Sequence, residues 1–319
     1  MTRKGWLLFA AISVFWGIPY LFIKIAVREL DPTVVVFARV GVAAIVLLPI
    51  AAHRRALQPL RRQWLAIAAF ALVQIVGPFL LISYGEQHIA SSLTSLLIAA
   101  EPLLVALFAL RFDADERVSG LRLVGLFIGM GGVLVLLGFD VSGDAQKVPG
   151  AIMILLAAAG YAASALLVKH PIIATLPTLG VVAVECVAAT VVLAPLALTR
   201  LPHRIPDSTV IMSLLVLGLI CTALAYLTFF ALVAEVGASR GSVFTYVNPV
   251  VSVFLGVILL GEALDIFTVA GFLLIILGSW LSTSGTLPPL GGLLRIRLVP
   301  GRNQDVGAMR RDAPSQQLQ

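Results

Sequence analysis

One carboxylate lies in the middle of a long apolar run. Glu101, followed by Pro102, interrupts the stretch LLIAAEPLLVAL at residues 96–107. An ionisable side chain at the centre of a bilayer costs on the order of 3 kcal/mol, so it is expected to face protein or water and is by default a candidate functional residue. Pro102 has no N–H and leaves the carbonyl of Ile98 without its helical partner, which kinks a helix beside the carboxylate. We predict that Glu101 contacts a substrate, a coupling ion or a proton; the alternative is a structural carboxylate, paired with Arg39 or hydrogen-bonded to a helix.

Further polar and aromatic residues lie in other apolar segments. Arg39 can neutralise Glu101, bind a substrate carboxylate or extend its charged end to the membrane interface. Glu185 is one residue from the position that corresponds to Arg39 in the second half of the chain, and we predict that it faces the same cavity. The remaining candidates for a substrate or coupling site are Trp16, Tyr20, Gln74, Tyr84, Ser95, Tyr161, Tyr226, Thr245, Asn248 and Pro249. Aromatic rings near a carboxylate favour a ligand with apolar and polar parts.

The sequence offers no support for an enzyme, a cofactor or a metal. Residues 237–241, GASRG, match the G-x-S-x-G pattern, but in hydrolases that pattern needs a strand–turn–helix setting. An intramembrane serine protease would need a histidine across the bundle; the histidines, His53, His88, His170 and His203, lie at segment ends or in loops. Cys186 and Cys221 lack metal-type spacing, and no phosphate-binding loop, HExxH or nucleotide fingerprint is present. We expect no catalytic residue, no bound metal, no cofactor and no ATP-driven transport by this chain alone.

Composition identifies a polytopic membrane protein. The 319 residues are 60% hydrophobic and 12% charged, and the mean hydropathy is +1.05. Soluble domains carry roughly 25% charged residues, so the apolar excess must face lipid. The net charge of +6 then reflects loop charge and gives no reason to expect a nucleic-acid partner. The expected partners are the bilayer and a small-molecule substrate.

Ten apolar segments are long enough to cross a hydrocarbon core of about 30 Å as helices. They fall at about 5–23, 33–51, 64–85, 90–110, 119–139, 149–168, 177–199, 209–232, 239–260 and 267–284. Because lipid offers no hydrogen-bond partners to the backbone, segments of this length and apolarity are predicted to be helices, and the predicted fold class is all-α. The first segment is predicted to be a retained span and not a cleaved signal peptide.

The distribution of basic residues predicts the orientation. With a cytoplasmic N-terminus, 16 of the 22 Lys and Arg residues fall on the cytoplasmic side and 5 on the other, while Arg39 lies within a span. This asymmetry predicts that both termini are cytoplasmic, in a multi-pass protein of the cell (inner or plasma) membrane. Residues 285–319, rich in Pro, Gly, Gln and Arg, are predicted to form a disordered basic cytoplasmic tail.

The chain repeats itself at a nearly constant offset. A shift of 145 superposes Pro32-Thr33 on Pro177-Thr178, a shift of 147 superposes Glu101-Pro102 on Asn248-Pro249, and a shift of 146 superposes Gly132 on Gly278. The sequence therefore predicts two copies of a five-helix unit, residues 1–143 and 146–284. Because five is odd, the second copy crosses the membrane upside down. Inverted repeats place a substrate site near the midplane and alternate its access between the two sides.

The duplicated pattern resembles the EamA family of the drug/metabolite transporter superfamily. The resemblance is carried by FWGIPYLFIK (15–24), PTVVVFARVG (32–41), SSLTSLLIAAEPLLVALFAL (91–110), GASRGSVFTYVNPVVSVFLGVILLGEAL (237–264) and VAGFLLIILGSWL (269–281). It implies secondary transport of small metabolites, often export of amino acids or related compounds. It also implies a central cavity lined by the first four helices of each repeat, with helices 5 and 10 peripheral. The chain carries EP in one copy and NP in the other, so a carboxylate would act on one side of the pseudo-symmetry only.

The predicted function is therefore a secondary transporter, an exporter, that works by alternating access around a midplane cavity. A passive facilitator or channel of the same fold is the alternative. Gly125 and Gly129 in the fifth segment, and Gly271 and Gly278 in the tenth, permit close helix approach. These glycines either pack each helix on its own repeat or form the face of a homodimer through helices 5 and 10.

Overall fold

The computed structural model describes residues 2–112, 120–140, 147–237 and 242–284, and within these ranges it is helical throughout, with no strand. Among the described residues, ten helices are long and apolar enough to cross a membrane, as the sequence predicts. They are α1 (Arg3–Ala26), α2 (Pro32–His53), α3 (Trp64–Gly85), α4 (Ser91–Ala109), α5 (Leu121–Gly138), α6 (Lys147–Leu167), α7 (Thr178–Thr199), α8 (Ser208–Val236), α9 (Val243–Leu260) and α10 (Ile266–Ser284). The predicted tail and most of the GASRG stretch lie outside the described residues.

Local sequence sets where α2 begins. Asp31 precedes the helix in an extended conformation, and its side chain accepts a hydrogen bond from Thr33 N at 2.8 Å. Pro32 occupies the first helical position, where a missing N–H costs nothing. Between the long helices lie a short 3₁₀ helix at Gln58–Arg62 and a single helical turn at Pro171–Ala174.

Three of the long helices are broken. In α1 the helical pieces are Arg3–Phe15 and Pro19–Ala26. In α4 one piece ends at Ile98 and the next begins at Glu101, so Pro102 sits in a first turn that does not need its N–H. In α9 a 3₁₀ turn, Ser242–Tyr246, precedes the piece Asn248–Leu260. The breaks at the two matched prolines agree with the predicted kinks.

Two further helices carry π-helical segments at matching places. Leu72–Val76 forms one in α3, and Val216–Leu224 forms a longer one in α8. Each adds a residue per turn and turns the following side chains relative to a regular α-helix. The two segments fall at nearly the same offset as the sequence repeat.

Corresponding helices of the two halves pack against each other. α2 packs on α7, α4 on α9 and α5 on α10, while α1 packs on α8 and α3 on α6. Exchanging the two halves converts the α1–α8 pair into the α3–α6 pair and leaves the other three pairs unchanged. The arrangement is compatible with inverted repeats, and the inversion itself stays a prediction.

Glycines bring α5 and α10 together. A Cβ on Gly125 would lie 2.5 Å from Leu281 Cβ, and one on Gly132 would lie 2.7 Å from Gly271 O. Gly278 meets the backbone of Gly129 directly. The glycines thus join the two halves, which differs from both sequence-based alternatives. A homodimer through α5 and α10 stays a prediction, and it would have to use their other faces.

Candidate functional site

A central cavity of about 510 Å³ lies among the broken helices. Side chains of α1 to α4 and of α6 to α9 line it, and none of the described residues of α5 or α10 does, as the family resemblance implies. Twelve of the predicted site residues lie on its wall: Trp16, Tyr20, Arg39, Gln74, Ser95, Glu101, Pro102, Tyr161, Tyr226, Thr245, Asn248 and Pro249. Residues that are far apart in the sequence therefore converge on one space.

Tyr84 and Glu185 do not line the cavity. The wall contributed by α3 runs through Gln74, Phe79 and Ile82, and Tyr84 follows in the last turn, where it contacts the start of α2. Its hydroxyl lies 3.0 Å from Thr33 Oγ1.

α7 reaches the cavity only through its first turns, at Thr178 and Val182. Glu185 lies about one turn further along and is fully buried, and neither of its carboxyl oxygens has a hydrogen-bond partner among the described residues. The prediction that Glu185 faces the cavity is corrected accordingly: it stands behind the wall.

Glu101 and Arg39 are not partners. No ion pair or hydrogen bond joins these two side chains, both of which lie in the described part of the chain. Arg39 Nε instead donates to Thr222 Oγ1 at 2.9 Å, and the guanidinium carbon lies 3.9 Å from the centre of the Phe79 ring. The structure therefore presents a carboxylate and a guanidinium to one cavity without neutralising one by the other.

The π-helical segment of α8 positions the partner of Arg39. Thr222 Oγ1 donates to Leu217 O, five residues earlier, at 2.8 Å, and so stays oriented to accept from Arg39. Gly218 permits α2 to approach, because a Cβ there would lie 2.5 Å from Val42 Cβ. A change of helix type and a glycine thus hold the guanidinium of Arg39 in place. Segments of π-helix occur frequently at functional sites.

Asn248 occupies the position in α9 that Glu101 occupies in α4, but it does different work. With the amide nitrogen turned toward two backbone carbonyls, it donates to Ser13 O at 3.1 Å and to Phe244 O at 3.0 Å. Ser13 precedes the break in α1, so this side chain ties two broken helices together. An ionised carboxylate has no proton to donate and could not make either bond.

The sequence profile of the EamA-like transporter family matches residues 3–138 and 148–284. The chain belongs to this family. It is 30% identical over 261 residues to an uncharacterized inner membrane transporter, YedA, of Escherichia coli K12, covering 80% of this chain and 82% of the relative. It is 28% identical over 287 residues to an uncharacterized transporter of Archaeoglobus fulgidus, covering 87% and 98%.

Two other similarities extend the comparison. A probable amino-acid metabolite efflux pump of Salmonella typhimurium is 26% identical over 296 residues, covering 89% of this chain and 96% of the relative. A solved crystal structure shares the fold with a TM-score of 0.64 at 20% identity, covering 89% of this chain and 98% of that one. The chain is thus a multi-pass membrane transporter of the EamA-like family.

An aromatic cluster forms one wall of this transporter's cavity. The Trp16 ring lies 5.5 Å from Tyr226, 5.2 Å from Phe229 and 5.2 Å from Phe244, between ring centres. Sequence reasoning missed Phe229, Phe230, Phe244, Tyr246 and Cys221, all of which line the cavity. A signal was present, because Phe229 and Phe230 follow Tyr226 by three and four residues and share its helix face.

The two ends of the cavity differ. We call the end where α1 meets α2 the α1–α2 side, and the opposite end, where α6 meets α7, the α6–α7 side. On the α6–α7 side the wall reaches Val168 and Thr178, which are both exposed. Hydrogen bonds and an ion pair close the α1–α2 side: Arg200 Nη1 lies 3.0 Å from Asp31 Oδ2, and Lys24 Nζ donates to the carbonyls of Glu86 and Ile89.

Two carboxyl groups on the α1–α2 side have opposite electrostatics. Burial raises the pKa of Glu86 well above its ordinary value; the charge of Lys24 opposes this shift and that of Glu262 adds to it. Burial also acts to raise the pKa of Glu262, but hydrogen bonds from Ser92 and Ser91 outweigh it and lower that pKa. Glu86 is therefore stabilised as a neutral acid and Glu262 as a carboxylate.

Proposed function

We propose that this transporter exports small amphipathic metabolites, amino acids or closely related compounds, by secondary alternating-access transport. The observation that carries the proposal is the shared cavity, in which the carboxylate of Glu101 and the guanidinium of Arg39 face a ligand-sized space without pairing. A cavity of about 510 Å³ falls within the range of small-molecule sites, roughly 300–1,000 Å³.

The wall suits a zwitterion with an apolar side chain. Glu101 can accept hydrogen bonds from a substrate amine. The Nε–H of Arg39 donates to Thr222. The other N–H groups of the guanidinium have the geometry to bind a carboxylate in a bidentate manner. The aromatic cluster around Trp16 supplies apolar surface for a side chain. The printed name of the Salmonella typhimurium relative, a probable amino-acid metabolite efflux pump, supports the same substrate class.

The fold supports alternating access. The cavity lies between the two halves, and α1, α4 and α9 are each interrupted beside it, so one side can open while the other closes. With the orientation that the basic residues predict, the α6–α7 side faces the cytoplasm and both termini lie there. The structure then corresponds to a state that receives cytoplasmic substrate.

The test measures transport directly. Cells that overproduce the protein are screened for resistance to toxic amino acids and related metabolites, and a ligand found in this way is then followed in proteoliposomes under an imposed pH or counter-substrate gradient. Accumulation beyond equilibrium is the expected result. Uptake that stops at equilibrium under every gradient would contradict the proposal and favour a passive facilitator of the same fold.

A pair of carboxylate variants assigns the site. Glu101→Gln keeps the shape and removes the charge, and we expect it to abolish resistance and transport. Glu185→Gln makes the same change within a membrane-spanning helix but behind the wall, and we expect it to retain transport. Normal transport by Glu101→Gln at all pH values would exclude a role for this carboxylate.

A further inference from the structure

The carboxylate of Glu262 joins the two halves of the chain on the α1–α2 side. It lies between α9 and α10, and it accepts hydrogen bonds from the first residues of α4. Oε1 accepts from Ser91 N at 2.7 Å and from Ser91 Oγ at 2.9 Å, and Oε2 accepts from Ser92 N at 2.9 Å. N–H groups at a helix start have no acceptor within their helix, and the helix dipole favours a negative charge there. The second half of the chain thus caps a helix of the first.

The residues around Glu262 position its carboxylate at the start of α4. Gly261 ends α9 with φ +67°, in the left-handed region that favours glycine. The chain then turns back, and Glu262 N donates to Gly256 O at 3.1 Å. A Cβ on Gly256 would lie 2.5 Å from Glu262 Oε2, so only glycine leaves room for the carboxylate at that position.

The capped piece of α4 also forms part of the cavity wall. Ser91–Ile98 is one helical piece, and two of its residues, Ser95 and Ile98, line the cavity. The piece ends at the break before Glu101, so it can move without carrying the rest of α4. Holding its first turn to the second half of the chain therefore holds the wall in place on the α1–α2 side.

Resting on the alternating access proposed above, we propose that the cap of Glu262 on α4 is the latch of the α1–α2 side, intact while the cavity is closed there and released when that side opens. The neighbouring contact of Lys24 with the carbonyls of Glu86 and Ile89 links α1 to the connection before α4, within the first half. Glu262 supplies a link between the halves, as the Arg200–Asp31 ion pair does on the same side, and alternating access must break such contacts.

Cysteine labelling tests the latch without any substrate. Ile98→Cys places a reporter on the wall in a Cys186→Ala, Cys221→Ala background, and a charged, membrane-impermeant maleimide is applied from the α1–α2 side. His203→Cys, an exposed position between α7 and α8, identifies whether intact cells or inside-out vesicles present that side. Hydrogen bonds to a charged group are strong enough that Glu262→Gln should speed labelling of the reporter by about tenfold or more.

Two further variants make the result decisive. Ser91→Pro removes two of the three donors at the first helical position, where proline is tolerated and the preceding Ala90 is already extended; it should speed labelling as Glu262→Gln does. Asp265→Asn alters a carboxylate of the same connection whose hydrogen-bond partner among the described residues is the adjacent Ile266 N, and labelling should stay at the parent rate. The latch is overturned if both Glu262→Gln and Ser91→Pro label no faster than the parent, or if the parent reporter already reacts as fast as His203→Cys.

Discussion

At the scale of single residues, the two residues that precede the matched prolines of α4 and α9, Glu101 and Asn248, have different roles. The side-chain amide of Asn248 donates hydrogen bonds to two backbone carbonyls, one in α1 and one in α9. Glu101 cannot donate in this way when ionised, and it has been left facing the cavity. One member of the pair therefore holds the broken helices together, while the other is available for chemistry.

This division of labour predicts opposite effects of two isosteric changes. Asn248→Asp replaces a donor by an acceptor opposite Ser13 O and Phe244 O, so it should destabilise the protein by about 1–3 kcal/mol through unsatisfied buried groups. Glu101→Gln breaks no bond to another described residue and should leave the unfolding temperature close to that of the parent while transport is lost. Thermal unfolding in detergent measures both. Equal stability of Asn248→Asp and the parent would show that the amide bonds are not made.

Glu86 makes stability depend on pH in a defined direction. Its carboxyl group is fully buried, and neither oxygen has a hydrogen-bond partner among the described residues. Burial raises its pKa well above the ordinary value, so the folded state binds a proton that the unfolded state releases. This contribution to stability is present below the ordinary pKa and declines as pH rises toward the raised one.

The variant Glu86→Gln should remove that dependence. Gln keeps the shape without a charge to desolvate, so the variant should match the parent at low pH and exceed it in unfolding temperature at neutral pH. Glu29→Gln, an exposed carboxylate on the same side, serves as the control and should follow the parent curve. A parent curve that rises with pH, with Glu86→Gln parallel to it, would contradict the assignment.

At the scale of helices, the sequence specified positions better than helix types. Hydropathy located all ten spans, and Pro102 and Pro249 located two breaks, because length, apolarity and a missing N–H act locally. The π-segments at Leu72–Val76 and Val216–Leu224 were not predicted. Their extra residue per turn depends on partners such as Arg39 for Thr222, which belong to other helices and leave no periodic signal in the local sequence.

Adjacent glycines of α5 offer a matched test of helix packing. A Cβ on Gly132 would lie 2.7 Å from Gly271 O, whereas a Cβ on Gly131 would meet nothing within 4 Å. Gly132→Ala should push α5 from α10 and destabilise the protein by about 1–3 kcal/mol. Gly131→Ala should be neutral or stabilising by up to about 1 kcal/mol, because alanine favours helix. Unfolding of the two variants in one detergent decides; a smaller loss for Gly132→Ala than for Gly131→Ala would reject the α5–α10 packing.

At the scale of the whole molecule, most of the site followed from one idea, that polar residues at matched depths in two repeats meet in the middle. The idea gathered Trp16, Glu101 and Asn248 correctly because depth in the membrane can be counted from sequence. It wrongly assigned Tyr84 and Glu185 to the cavity wall, because the sequence does not show how far the cavity extends along α3 and α7. It missed Phe229 because the sequence alone does not show whether an apolar ring in a membrane helix faces a cavity.

The two ends of the cavity should differ in chemical access across the whole molecule. Val168 lines the cavity and is 44% exposed, while Ile98 lines it behind the closed α1–α2 side. In a background without native cysteines, Val168→Cys should react with an impermeant maleimide in inside-out vesicles and stay unreactive in intact cells, because the distribution of basic residues predicts that the α6–α7 side faces the cytoplasm. Bound substrate should slow the reaction. His203→Cys should show the opposite sidedness, and labelling of both cysteines from one side would refute the predicted orientation of the fold.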